Sequence, residues 1–466
     1  MEYSEFLDKK LQEGTNEGFN PTYINKSLMD FQVMLTDWAI RKGKGALFCD
    51  CGLGKTPMQL VWAQNVVEHT NKPVLILTPL AVAPQTMREG VKFDIPVYKA
   101  TETKAAKIMV SNYEKLHYFD CNDFGGVVCD ESSILKNFDG TRKAQITEFM
   151  RRVPYRLLCT ATAAPNDYIE LGTSSEALGN LGYTDMLTRY FVNDQHTIKP
   201  QTYLHRGSKI SDIYESNRWR FKGHAEQSFW RWVCSWSRAI RKPSDLGFED
   251  GQFQLPPLVE SETIIKANTV RPGMLFEVDS IGLSEEREVR RRTLSQRCES
   301  AASYASQHKG SIVIWCHLND EADMLEKLIP DALQISGSQS DEIKEERFES
   351  FRNGELRVLV IKPKIGAFGL NWQHCNQVVY FASHSYEQYY QAVRRCWRFG
   401  QTNQVNVNII MADGEQRIVK NLRRKAVAAD KMFSNLVLEM NHAISLQNKD
   451  RFIQKVEVPS WLQIHS

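Results

Sequence analysis

The chain has 466 residues, 42% hydrophobic and 24% charged, a length that exceeds one comfortable core and points to two or three domains. A formal net charge of +2 excludes binding to a polyanion by overall attraction, so any nucleic acid must be held by local basic patches. Ten cysteines without a C-x-x-C pair exclude a zinc ribbon or disulfide framework, and no apolar run nears the roughly 20 residues of a membrane span.

In chain order, the opening "MEYSEFLDKKLQEG" is polar and lacks a signal-peptide core, so a cytoplasmic chain with no membrane contact is expected. "GALFCDC" reads as a buried strand ending in glycine punctuation, and "TPMQLVWAQNVVEHT" follows with helical periodicity. "PVLILTP", "KIMVSNY", "GGVVCDE" and "YRLLCTAT" are further apolar strands, most of them separated by helix-length gaps. The pattern returns in "SIVIWCH", "LRVLVIK", "NQVVYFA" and "VNVNIIMA". Near-continuous apolar strands joined by helices predict parallel sheets covered on both faces, hence an α/β chain with two such domains.

The predicted division is residues 1–170, 171–255, 256–415 and 416–466. The second part has no clear strand series and carries Trp219, Trp230, Trp232 and Trp236 among arginines and lysines. Phe229, Trp230, Val233 and Trp236 recur at helical core spacing, so they are expected inside, with the basic residues at the edge of a bound duplex. "LPP" at 255–257 reads as a linker, and the basic stretch after Gly414 as a closing helix. Its Arg417, Lys420, Arg423, Arg424 and Lys425 are expected on a solvated or duplex-flanking face.

"CDCGLGKT" carries the strongest local chemistry. After a strand, the Gly52–Gly54 turn aims backbone N–H groups at phosphate oxygens, at the positive end of the next helix. Gly52, Leu53, Gly54, Lys55 and Thr56 are the expected nucleotide contacts, with Lys55 on the terminal phosphates and the Thr56 hydroxyl on Mg²⁺. Cys49 stands where the strict motif has glycine, so only its second half is matched. In "VVCDES", Asp130 and Glu131 end a predicted parallel strand, where open α/β sheets bind ligands. Asp130 is expected to hold the metal ion and Glu131 to orient and deprotonate the attacking water.

"QAVRRCWRFGQ" places Arg395 and Arg398 three residues apart, on one expected helix face, with Arg394 pointing elsewhere to the surface. A phosphoryl transition state spreads charge over its oxygens, and an arginine delivered from another domain is worth about 10³–10⁵ in rate. Catalytic roles are therefore expected for Lys55, Glu131, Arg395 and Arg398.

The order of these motifs resembles helicase superfamily two, most closely its Swi/Snf-type DNA translocases. "MDFQ", "CGLGKT", "LTPLAVAPQ", "VSNYE", "DESS" and "TAT" are similar to the first-domain motifs. "ISGSQSDEIKEERFESF", "IGAFGLNWQ" and "QAVRRCWRFGQ" are similar to those of the second. The compact length and the "SHSYEQYYQAVRRCWRFGQ" wording resemble small phage-encoded members, a setting that implies DNA replication, recombination or repair. The resemblance implies two RecA-like domains in tandem with a helical insertion and C-terminal helices, and ATP and Mg²⁺ as cofactors. It implies Gln32 as the adenine reader and Gly369 as a further nucleotide contact. It also implies a monomer on double-stranded or branched DNA, gripped with little sequence preference by Thr78, Pro79, Asn112, Tyr113, Thr162, Lys364 and Trp372. Pro363 stands where the family has a phosphate-binding threonine, and Ser133 where motif II often has histidine. An RNA helicase with the same engine, or a nucleotide-switched binding module without a motor, remain alternative readings. Preferential stimulation by RNA would select the first, and nucleic-acid binding without turnover the second.

Overall fold

The structure is a computed structural model and describes residues 15–100, 106–136, 140–193, 219–266, 283–366, 370–413 and 415–453. Two parallel sheets dominate it, as the apolar runs predict. Strands β1 (Lys44–Cys49), β2 (Val74–Thr78), β3 (Tyr98–Lys99), β4 (Ile108–Asn112), β5 (Gly126–Asp130) and β6 (Tyr155–Thr160) belong to the first. A short antiparallel pair follows, β7 (Phe191–Asn193) with β8 (Trp219–Phe221), and then β9 (Ser237–Ile240). The first sheet has the order β3-β4-β2-β5-β6-β1-β9, and every pairing in it is parallel.

The second sheet is built from β10 (Leu258–Ile265), β11 (Ile312–Trp315), β12 (Ala332–Ile335), β13 (Val358–Ile361), β14 (Gln377–Phe381) and β15 (Val405–Ala412). Its order is β10-β15-β14-β11-β13-β12, again all parallel. Both sheets are covered by helices, which is why β2, β5, β11 and β13 are buried at every position.

The stretch 171–255, expected to lack strands, supplies β9, which pairs with β1 in register Ala46↔Ser237 through Cys49↔Ile240. The tryptophan stripe lies inside, as its spacing predicts: Phe229, Trp230, Trp232, Val233 and Trp236 are all buried. One basic residue expected at a duplex edge is corrected. Arg238 is buried, donates to the Cys234 and Ser237 carbonyls and lies 4.4 Å over the Trp38 ring.

The long helix Gln416–Ile453 leaves the second sheet and returns to the first domain. Its Met432, Phe433, Leu436 and Met440 join the first domain's core, against the helix Ala225–Trp236. Arg417, Lys420, Arg423 and Arg424 lie on its exposed side. Among the described residues, no helix is long and apolar enough to cross a membrane.

Candidate active site

The first sheet presents the ends of β1 and β5 on either side of β6. After β1 the chain turns through Gly52, at φ 89°, and Gly54, at φ 77°, before the helix Lys55–Thr70 begins. A side chain is strained at such angles. At Gly54 a Cβ would also come within 2.2 Å of the Gln32 amide nitrogen. Gln32 is buried, accepts from the Met29 N–H at 2.9 Å and donates to the Leu53 carbonyl at 3.0 Å. It therefore splints the loop from behind while lining the same cavity.

Lys55 is drawn back along the loop, donating to the carbonyls of Cys49 at 3.0 Å and Asp50 at 3.3 Å. Burial works against its charge, but Cys51, Glu131 and Asp130 beside it hold the ammonium above the ordinary lysine pKa. Asp130 ends β5 and accepts from the Gln59 amide at 2.7 Å. Burial and the neighbouring Glu131 push its carboxyl up to about 6. Glu131 has φ 53°, a left-handed conformation that a glutamate rarely adopts and that costs on the order of 1–3 kcal/mol. The turn swings its carboxylate under β6, where the Thr160 hydroxyl donates to it at 3.4 Å.

The arginine segment arrives from the second domain. The helix Tyr386–Val393 stops before the arginines, so Arg395 and Arg398 sit in the turns after it and not on a helix face. Arg395 donates to the Gln391 side chain at 2.8 Å and to the Leu370 carbonyl at 3.1 Å. Arg398 donates to the Leu370 carbonyl at 3.2 Å and to the Asn371 side chain. It stays a cation at any physiological pH. Burial, Arg395 and Arg394 nonetheless lower its pKa to about 10, a crowding of positive charge that an anion in the cavity would relieve.

A cavity of about 390 Å³ gathers Gln32, Gly52, Gly54, Lys55, Thr56, Asp130 and Glu131 with Arg395 and Arg398. Its volume is in the range of small-molecule and cofactor sites. The residues fit a nucleotide with its metal ion: a glycine turn at a helix N-terminus, one lysine, two carboxylates and two arginines facing one space.

Other expectations are corrected. Arg394 is 1% exposed, not a surface charge, and pairs with Asp50 at 2.7 Å. Three of the seven expected strand contacts have buried side chains occupied elsewhere. Trp372 packs on Trp315 and Phe351 in the second domain's core, the Tyr113 hydroxyl donates to the Asp130 carbonyl at 2.5 Å, and the Thr78 hydroxyl donates to the Pro79 carbonyl at 3.1 Å. Direct grip on a strand by these three side chains is withdrawn. Thr162 is also buried, within 3.4 Å of the Gln391 amide. Asn112 is half-buried and caps a 3₁₀ turn by accepting from the Lys115 N–H at 3.1 Å. Pro79 is half-buried and Lys364 exposed, while Gly369 lies outside the described residues.

Residues that sequence reasoning missed complete the site. Gln391 reaches Glu131 at 3.5 Å, and Gln252 and Phe253 line the cavity from the segment before β10. No local pattern marks them, because the groups they meet across the cavity, such as Glu131 for Gln391 and Phe399 for Phe253, are far away in the chain.

No curated protein matches the sequence. Among solved structures the chain is similar to the Sulfolobus solfataricus SWI2/SNF2 ATPase core in complex with dsDNA, at 18% identity and a TM-score of 0.40. That likeness covers 90% of this chain and 96% of the other. Residues 294–400, which include Arg395 and Arg398, match the family model of the helicase conserved C-terminal domain.

Proposed function

We propose that the chain is an ATP- and Mg²⁺-dependent DNA translocase or helicase, moving along duplex or branched DNA. One observation carries the reading: Arg395 and Arg398 line the same cavity as Lys55, Thr56, Asp130 and Glu131. The match of residues 294–400 to the helicase C-terminal domain supports it.

In this reading the Gly52–Gly54 turn and Lys55 bind the polyphosphate, and Gln32 faces the base. Thr56 and Asp130 would hold Mg²⁺, which supplies positive charge to the phosphate oxygens when bound. Glu131 accepts the proton of the attacking water. Arg395 and Arg398 stabilise the charge that builds on the transferred group, and they reach it only with the cleft closed. Gln391 ties the second domain to Glu131 and Thr162, so closing would align the base together with the arginines. Alternate closing and opening would then move a strand bound across both domains. The exposed cations Lys364, Arg417, Lys420, Arg423 and Arg424 suit backbone phosphates, which favours grip without sequence readout.

The test is ATP hydrolysis with and without double-stranded DNA, single-stranded DNA and RNA, beside Lys55→Ala. Stimulation by DNA and a loss of at least about 10²-fold in Lys55→Ala are expected. No stimulation by any nucleic acid, with Lys55→Ala unchanged, sinks the motor. Stimulation by RNA in preference to DNA selects an RNA-directed engine.

A further inference from the structure

We infer that Asp50 and Arg394 form an interdomain latch that holds the arginine segment on the phosphate loop, making them positioning residues for hydrolysis. The inference rests on the nucleotide-site reading above and adds to it the groups that set closure.

Asp50 sits between β1 and the glycine turn, and its two oxygens serve different domains. Oδ1 accepts from the Cys51 N–H of the loop at 2.6 Å and also from the Tyr390 hydroxyl of the second domain. Oδ2 meets Arg394 Nη2 at 2.7 Å. The same nitrogen donates to the Cys51 carbonyl at 3.2 Å. The Asp50 carbonyl meanwhile accepts from Lys55, and its N–H donates to Ile240 of β9 at 3.0 Å. One residue thus bonds the edge strand, the lysine, the loop and the second domain.

Among the described residues, Asp50 is the one anion paired with Arg394. Its guanidinium lies 5.0 Å from the Trp397 ring, 5.6 Å from Phe399 and 5.8 Å from Tyr390, an apolar surround. Among the described residues its Nε and Nη1 have no hydrogen-bond partner, so Asp50 is the anion that compensates the buried charge. Burial disfavours the charge, yet Asp50 holds the guanidinium above the ordinary arginine range. Phe399 reinforces the contact, since a Cβ on Gly52 would lie 3.0 Å from its ring.

A pair buried in the closed cleft gains little net energy when intact, because desolvation offsets the attraction, but it leaves no uncompensated charge there. With one member removed, the other is left as an uncompensated buried charge, and the closed state suffers. With both neutralised, that penalty disappears. Neither residue need touch phosphate for this.

The experiment places spin labels on Val91→Cys (82% exposed) and Leu328→Cys (42% exposed), one in each domain, and measures their distance distribution without nucleotide. All ten native cysteines are buried here, but Cys51 lines the cleft, so Cys51→Ser is built into the parent and every variant before labelling. Asp50→Asn and Arg394→Gln should each lower the closed-to-open ratio at least about tenfold. Turnover should fall in parallel while ATP affinity stays within about threefold, and the double variant should do no worse than either single one. Tyr390→Phe removes only a hydroxyl bond and should lower the ratio about threefold, which keeps the test open if a charge variant does not fold. Unchanged distance distributions, or losses in the single variants that simply multiply in the double, overturn the latch. Because closure is read without nucleotide, it decides the latch even if Lys55→Ala shows the hydrolysis reading to be wrong.

Discussion

The two domains are joined twice, and the two joints use opposite chemistry. Across the cleft the contacts are mainly polar, Asp50 with Arg394, Glu131 with Gln391 and Lys136 with Glu387, with Phe399 against Phe253 as an apolar addition. Behind it, the helix Gln416–Ile453 sets Met432, Phe433, Leu436 and Met440 into the first domain's core. Ionic groups taken from water gain little net energy, because solvation competes for both partners. Apolar side chains fully buried gain about 1.5–3 kcal/mol each, and separating them recovers nothing from water. The polar joint is therefore the one expected to open, and the apolar joint the one expected to persist.

The largest effect expected on this contrast comes from the strap. Leu436 is fully buried, so Leu436→Ala should cost about 2–5 kcal/mol of stability by urea unfolding. Hydrogen exchange in residues 416–442 should rise with it. An unchanged midpoint would mean that the helix is not anchored. The smallest effect is expected at the cleft rim, where Arg88 meets Glu349 at 3.3 Å with both side chains more than a third exposed. Arg88→Ala should change stability by less than about 1 kcal/mol, and added salt should erase even that. A larger loss there would blur the distinction between an opening rim and a fixed strap.

Much of the scaffold is written in local pattern. β2, β5, β11 and β13 are short apolar runs, legible because strands buried on both faces need them. β9 was not legible: Ser-Arg-Ala-Ile carries an arginine whose burial is made tolerable only by Trp38 and two backbone carbonyls. β10 is an edge strand, exposed along much of its length, so no apolar run announces it.

Within the site, the glycine turn between a strand and a helix was legible from local pattern, whereas Arg395 and Arg398 line the same cavity from turns and not from the helix face that their spacing suggested. Arg394 was misread because a helical wheel was extended past Val393, where the helix ends. Its burial depends on Asp50, a partner in the other domain. Trp372, Tyr113 and Thr78 show the converse. The family resemblance implied a contact surface, but packing of Trp372 on Trp315 and hydrogen bonds of Tyr113 and Thr78 to carbonyls already occupy them.

The central claim is that the second domain's guanidinium groups complete a nucleotide site built by the first. Its most direct measurement is turnover beside ATP affinity in Arg395→Ala and Arg398→Ala. A fall in kcat of about 10³–10⁵ at saturating DNA, with ATP affinity within about threefold of the parent, is the expected result. Parent-level kcat in both variants would contradict it.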